Sequence, residues 1–204
     1  MDNFVISVAD ETHIAYASSI SQLIEDSAKK RGTGIAKRSP QYIEQKIKEG
    51  KAVIALHQKK KLAGFCYIES WGHQKFVANS GLVVHPDFRN QGLALAIKSK
   101  AFKLSKKVYP GAKLFGLTTS LAVMKINSDL GYRPVTFSKL TDDDQFWKGC
   151  SSCVNYEILQ SKNRQNCLCT GMLYDPEEKK RKWEQKTKKV KQTLASWKNK
   201  VITK

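Results

Sequence analysis

The chain has 204 residues, 41% of them hydrophobic, and carries 36 Lys+Arg against 18 Asp+Glu for a formal charge of +18. That is enough apolar material for one globular core, yet no apolar run approaches the ~20 residues that cross a bilayer as a helix. Asp2, Asp10 and Glu11 stand where a secretion signal would be basic, so a cytoplasmic location without a membrane span is expected.

The charge is unevenly placed. Residues 177–204 hold 11 basic and 3 acidic residues, which is +8 of the total and leaves +10 on the rest. A basic body suits anionic partners, whether a polyphosphate cofactor, an acidic substrate or a nucleic acid.

Phe4 to Val8 alternates as a short strand, and Asp10 is a candidate N-cap for a helix over 11–30 with apolar residues at Ile14, Ala17, Ile20, Leu23, Ile24 and Ala28. Gly32 and Gly34 mark a flexible connection, which lacks the Gly-Lys-Ser/Thr ending of a Walker loop. Ser39-Pro40 predicts the start of a short helix ending at Gly50, with Ile43 and Ile47 on one face. Three strands follow in series, Ala52 to Leu56, Leu62 to Trp71 and Phe76 to Val84.

The turn His85-Pro86-Asp87 then leads into Arg89-Asn90-Gln91-Gly92-Leu93-Ala94. A strand that hands over to a helix here leaves several backbone N–H groups unpaired at the positive end of the helix dipole, which is an anion site. Gly92 lets the backbone approach a bulky ligand, and Arg89 adds a fixed charge. Leu93, Ala94, Ile97, Ala101 and Leu104 predict the helix that follows; Lys113 to Thr119 predicts a strand, Ala122 to Leu130 a helix closed by Gly131, and Tyr132 to Phe137 a last strand. Strands alternating with helices in this order place the chain in the α/β (α+β) class, with a mixed central sheet flanked by helices.

The loop motif R/Q-x-x-G-x-G/A after a strand resembles the coenzyme A pyrophosphate loop of the GNAT (Gcn5-related) N-acetyltransferase superfamily, and the element order agrees with that family over roughly the first two thirds of the chain. The resemblance implies a GNAT domain over 1–145; the residue pattern beyond it reads as a Cys-containing extension over 146–176 packed on that domain and a basic amphipathic helical tail over 177–204. It further implies a strand, here Leu82, Val83 and Val84, that splays from its neighbour so that the pantetheine arm of acyl-CoA pairs with its backbone. Arg89, Asn90, Gln91, Gly92, Leu93 and Ala94 would hold the pyrophosphate.

Acyl transfer to an amine needs a proton acceptor, and Glu69 at the end of the preceding strand is the first candidate; His73, Asn79 and Ser80 are alternates that act through water. The family's usual acid is a tyrosine at the position that here holds Asn127. An amide cannot replace a phenol as an acid, so Asn127 is expected to contact coenzyme A, with Tyr132 or solvent as proton donor. Arg31, Lys37 and Arg38 in the helix connection suit an acidic amine, with Asn79 and Ser80 as further acceptor-side contacts. The longer phrases Arg31 to Pro40, Phe65 to His73 and Gly149 to Asn155 are similar to stand-alone GNAT proteins thought to make N-acylglutamate for arginine biosynthesis. That narrower resemblance implies glutamate as acceptor and acetyl-CoA or succinyl-CoA as donor.

Cys150-Ser-Ser-Cys153 and Cys167-Leu-Cys169 bracket a segment, Val154 to Leu159, that reads as a strand. Two readings stay open: four thiolates closing a structural zinc, or small thiols packing an added hairpin. In the tail, Trp183, Val190, Leu194, Trp197 and Val201 recur at helical spacing. Such a helix docks on its own domain or on a second copy in a homodimer; RNA or an anionic membrane is the alternative, as is a basic module on an inactive GNAT scaffold.

Overall fold

The computed structural model describes residues 3–31 and 37–178, together with Lys180, Trp183 and Thr187. Met1 to Tyr174 form one compact unit and Asp175 to Lys204 a second. In the second unit, Asp175 Oδ1 accepts from the backbone N–H of Glu177 and Glu178 to open a helical turn. Gly32, Gly34 and most of the expected 177–204 helix lie outside the described residues, as does the side chain of Arg31. Among the described residues no helix is long and apolar enough to cross a membrane.

The first unit is built on a seven-stranded sheet in the order β1-β2-β3-β4-β5-β7-β6. The strands are β1 Phe4–Val8, β2 Ala52–His57, β3 Lys61–Trp71, β4 Phe76–Val84, β5 Lys113–Thr118, β6 Arg133–Val135 and β7 Thr170–Tyr174. All neighbours are antiparallel except β4 and β5. The helices are α1 Ala17–Arg31, α2 Pro40–Lys48, α3 Leu93–Val108, α4 Leu121–Asp129, α5 Asp144–Lys148 and α6 Tyr156–Ser161.

Alternation along β2 and β3 sends Val53, Ala55, Cys66 and Ile68 to one face, where Ile97 and Ala101 of α3 cover them. Ile54, Phe65 and Tyr67 face the other way, against Ile20 and Ile24 of α1 and Ile43 and Ile47 of α2. Each fully buried isoleucine in these layers contributes roughly 2 kcal/mol by removing apolar surface from water. Ser39 caps α2 as expected, accepting from Tyr42 N at 3.2 Å.

Three expectations are corrected. The helix read over 11–30 is divided, with Asp10 capping a 3-10 turn at Glu11–Tyr16 before α1 begins. Val154 to Leu159 is not a strand; α6 forms instead and buries Leu159. β6 ends at Val135, and a 3-10 turn takes Phe137–Lys139. A strand absent from the sequence reading, β7, lies inside the sheet and pairs with β5 over Leu114↔Tyr174 to Thr118↔Thr170.

β4 departs from regular geometry at two places. Against β3 its register runs Phe65↔Val83 and then Tyr67↔Ser80, so β4 carries one extra residue at Gly81-Leu82, a β-bulge. Gly81 sits at φ +65°, and a Cβ there would lie 2.7 Å from the Tyr67 ring. Against β5 the parallel pairing covers only Phe76↔Lys113, Val77↔Leu114 and Ala78↔Phe115, after which the two strands part. Gly81→Ala is therefore expected to lower the unfolding free energy by about 2–4 kcal/mol, combining left-handed backbone strain with overpacking against Tyr67. Denaturant titration checks this, and an unchanged midpoint would mean that the ring moves aside at no cost.

Candidate functional site

The parting of β4 and β5 opens a cavity of about 500 Å³. Ser80, Gly81 and Leu82 from β4 face Gly116, Leu117 and Thr118 from β5 across it, with Lys98 and Asn127 also in its wall. The other half is walled by Arg38, Tyr42, Tyr67, Glu69 and Trp71, with Phe146, Gly149 and Cys150 from the later part of the chain.

At the apex of the gap lies Asn79, only 6% exposed. Its strand partner Ile68 donates its N–H to Lys51 O, so Ile68 turns its backbone polar groups toward β2. Asn79, opposite in a non-hydrogen-bonded pair, therefore turns its own toward β5. The ladder with β5 has ended one residue earlier, and the carbonyl of Asn79 takes the ammonium of Lys98 instead, at 3.3 Å. The Asn79 side chain is equally committed: Nδ2 donates to Ser105 Oγ at 2.7 Å and Oδ1 accepts from the Tyr132 hydroxyl at 2.8 Å. Asn79 thus holds the apex, and it also lines the cavity.

Tyr132, the expected acid, is 3% exposed, is spent on Asn79 and does not reach the cavity wall. Burial pushes its phenol far above the ordinary range, which further disfavours loss of the proton. Asn127 does line the cavity; it is 1% exposed and its Oδ1 has no hydrogen-bond partner. A buried amide oxygen left unpaired costs about 1–3 kcal/mol, which a ligand N–H would recover.

Glu69 stands opposite Ala78 on β3 and is the only carboxylate lining the cavity among the described residues. Both its oxygens are held: Lys46 Nζ lies 2.7 Å from Oε1, and the Tyr42 hydroxyl donates to Oε2. Burial, above all, then Tyr67, pushes the Tyr42 phenol up, so it stays protonated and serves as a donor. Arg38 lies over the Tyr42 and Tyr67 rings, donates from Nε to the Tyr67 hydroxyl at 2.7 Å, and among the described residues makes no ion pair with a carboxylate. Lys37 also lines the cavity but is largely exposed and lies 3.8 Å from Glu25. Ser80 lines the cavity, with its carbonyl accepting from the Cys66 thiol at 3.4 Å. His73 is outside its wall.

The loop 89–94 lies beyond the C-terminal end of β4. Asn90 and Gly92 both have positive φ, at 60° and 75°, and Gly92 is the N-cap of α3 with no side chain to satisfy the first turn. The open amides and the dipole of a 16-residue helix form an anion cradle. Arg89 braces it, donating Nε to Val84 O at 3.3 Å. Leu82 lines the gap, Val83 packs toward α1 and α2, and Val84 packs toward α3.

Of the two open readings of the cysteines, the structure favours small thiols packed against an apolar cluster over a zinc site. Among the described residues no group of three or more His, Cys, Asp or Glu is placed to hold a metal. The thiols are spent locally: Cys153 Sγ accepts from Asn155 N and Cys167 Sγ donates to Asn155 O. Cys150, Cys167 and Cys169 pack against the cluster of Phe115, Phe137 and Trp147.

Lys46, Tyr42, Tyr67 and Lys98 were not picked out from the sequence. Lys98 had a signal, since it falls on the buried stripe of α3 with Ala101 and Ser105 at helical spacing, where a lysine is out of place. The tyrosines carry none, because a tyrosine in a strand is ordinary.

Residues 20–124 match the family model described as Acetyltransferase (GNAT) family. No curated protein sequence matches. Among solved structures, an N-acetylglutamate synthase from Neisseria gonorrhoeae complexed with coenzyme A and N-acetyl-glutamate is 17% identical with a TM-score of 0.59, over 84% of this chain and 35% of that one. The chain thus spans about a third of that protein's length. A Mycobacterium tuberculosis protein in complex with coenzyme A is 15% identical with a TM-score of 0.60, over 84% of this chain and 98% of that one. A phosphinothricin acetyltransferase from Sinorhizobium meliloti in complex with acetyl-CoA is 13% identical with a TM-score of 0.57, over 85% and 88%. At these identities the likeness is one of fold.

Burial, above all, pushes the Cys150 and Cys66 thiols up to about 11 and the Cys169 thiol up to about 12. At pH 8 a thiol with a pKa near 11 is roughly one part in a thousand thiolate, so these three are expected to resist iodoacetamide until the chain is unfolded. Mass spectrometry after brief labelling checks this; fast modification of any of the three in the folded protein contradicts it.

Proposed function

We propose that this chain, a member of the GNAT acetyltransferase family, is an acyl-CoA-dependent N-acyltransferase that acylates the amino group of a small acidic amino acid, glutamate foremost. The donor would be acetyl-CoA or succinyl-CoA, and the reaction would serve arginine biosynthesis. The observation that carries the acceptor assignment is Arg38: a half-buried guanidinium on the cavity wall, stacked on two tyrosines and without a carboxylate partner among the described residues. Its Nε is spent on the Tyr67 hydroxyl and one Nη1 hydrogen on Lys37 O, which leaves Nη2 and the other Nη1 hydrogen to meet a substrate carboxylate through two parallel hydrogen bonds. The solved relative from Neisseria gonorrhoeae bound to N-acetyl-glutamate supports the reading through its fold.

The residues present fit coenzyme A. The uncapped start of α3 with Arg89 suits the pyrophosphate, the unpaired backbone between β4 and β5 suits an extended amide arm, and Asn127 Oδ1 offers a buried acceptor for an N–H. When bound, acyl-CoA supplies an activated acyl group. Arg38 then orients the amine by its carboxylate, and Glu69, fixed by Lys46 and Tyr42, takes the proton as the amine attacks, directly or through water. The wall around Tyr67, Trp71 and Phe146 limits water access to the reacting carbonyl.

Turnover of acetyl-CoA and succinyl-CoA against a panel of amino acids, followed by thiol release, tests the assignment. Acylation of glutamate with refusal of cationic amines is expected, and the converse overturns it. Arg38→Ala is expected to raise KM for glutamate about 30-fold, the loss of a charge-assisted fork, with acyl-CoA affinity unchanged. Arg89→Ala is expected to weaken coenzyme A binding about tenfold by calorimetry, with KM for the amine unaffected. Glu69→Gln is expected to lower kcat by roughly 100-fold, and unchanged turnover across pH would remove Glu69 from the role.

A further inference from the structure

Thioester cleavage releases a thiolate, and the cavity has no evident group to protonate it. Asn127 is an amide, and the Tyr132 hydroxyl is occupied behind the wall. In the acceptor half, the Tyr42 hydroxyl donates to Glu69, and the Tyr67 hydroxyl accepts from Arg38 while burial pushes its phenol up, which disfavours loss of its proton. What remains in the cofactor half is Lys98, which is 2% exposed and has no carboxylate beside it. Three groups face its ammonium: the Asn79 carbonyl of β4 at 3.3 Å, the Cys66 thiol of β3, and the Tyr132 ring, whose centroid is 5.6 Å away. Asn79 O is its only hydrogen-bond acceptor among the described residues, so two of its three N–H donors remain for a ligand.

Direction along β4 places this ammonium at the far end of the cofactor path. The anion loop lies beyond Val84, and the gap closes at Ala78, where pairing with β5 begins. An extended arm anchored at the loop and running beside Val84 to Leu82 points its terminus at Asn79, about 17 Å of strand away. We propose that Lys98 is the proton donor to the leaving thiolate of coenzyme A, and that its bond to Asn79 O holds the ammonium in line for that transfer. As the carbon–sulfur bond breaks, its electron pair goes to sulfur. Lys98 Nζ gives sulfur a proton, becomes a neutral amine, and regains the proton from water.

Burial pushes the Lys98 ammonium down from its ordinary value, opposed by the Cys66 thiol, which makes it a better acid. A cation at this place also lowers the pKa of a bound thiol. The inference rests on the acyl-CoA reading but not on the identity of the amine.

The test titrates the thiol of free coenzyme A bound to the full chain, by ultraviolet thiolate absorbance, with the desulfo-CoA complex as reference so that the protein's own cysteines cancel. The bound thiol is expected to titrate at least about one unit below free coenzyme A, the effect of an opposite charge within a few ångströms. Lys98→Met is expected to abolish that shift, to lower kcat about 100-fold, and to leave KM for acetyl-CoA within threefold. Lys98→Arg, which keeps the charge and the bond to Asn79 but cannot release a proton, is expected to keep the thiol shift and stay slow. The proposal is overturned by a wild-type complex without the shift, by a shift that survives Lys98→Met, or by full turnover in Lys98→Arg. If coenzyme A does not bind at all, the acyl-CoA reading itself has failed, and binding calorimetry separates that result from the others.

Discussion

Everything at this site depends on the strand ladder between β4 and β5 ending after three residue pairs. β5 is tied along its length to β7, while β4 follows β3, so the two strands are drawn apart beyond Ala78. Such a gap would normally orphan backbone groups in a dry interior, at about 1–3 kcal/mol each. The Asn79 network removes that cost at the apex: Lys98 takes the carbonyl, Ser105 and Tyr132 take the side chain, and Ser105 donates onward to Ala101 O. These bonds tie β4 to α3 and to the segment after α4. The opening is therefore fixed in place, and the backbone beyond it stays available to a ligand.

Two charge systems divide the cavity. On the acceptor side the line Lys46, Glu69, Tyr42, with Arg38 over Tyr42 and Tyr67, sets a fixed carboxylate near a guanidinium without a carboxylate of its own. On the cofactor side a single ammonium sits among an amide carbonyl, a thiol and an aromatic ring. The first arrangement suits a zwitterionic amine that must bind by its carboxylate and lose a proton from nitrogen. The second suits a group that leaves with negative charge. α2, α3 and β3 supply the titratable groups of both and β4 the Asn79 carbonyl, so the chemistry rests on rigid elements; Arg38 joins them from the connection leading into α2.

Much of this was legible from residue order. β4 was placed from Phe76 to Val84 and appears with those bounds, because its ends are marked by polar turns on both sides. The anion loop was readable since glycine and arginine at that spacing after a strand have a direct physical meaning. The Val154 to Leu159 segment was misread because six residues do not distinguish a period of two from one of 3.6. β7 was missed because Thr170-Gly-Met-Leu-Tyr174 is buried on both faces and shows no alternation. Asn79 was legible only as a polar residue near the acceptor; its three bonds come from α3 and from the residue after Gly131, which only tertiary structure brings together.

The central claim is that the parted edge of β4 is where coenzyme A lies. Residue-resolved amide hydrogen exchange with and without coenzyme A tests it most directly. Slowed exchange confined to Ser80 to Val84 and to the first turn of α3, with α1 and α2 unchanged, is the predicted result. Protection that appears elsewhere while those amides exchange at their free rates would contradict it.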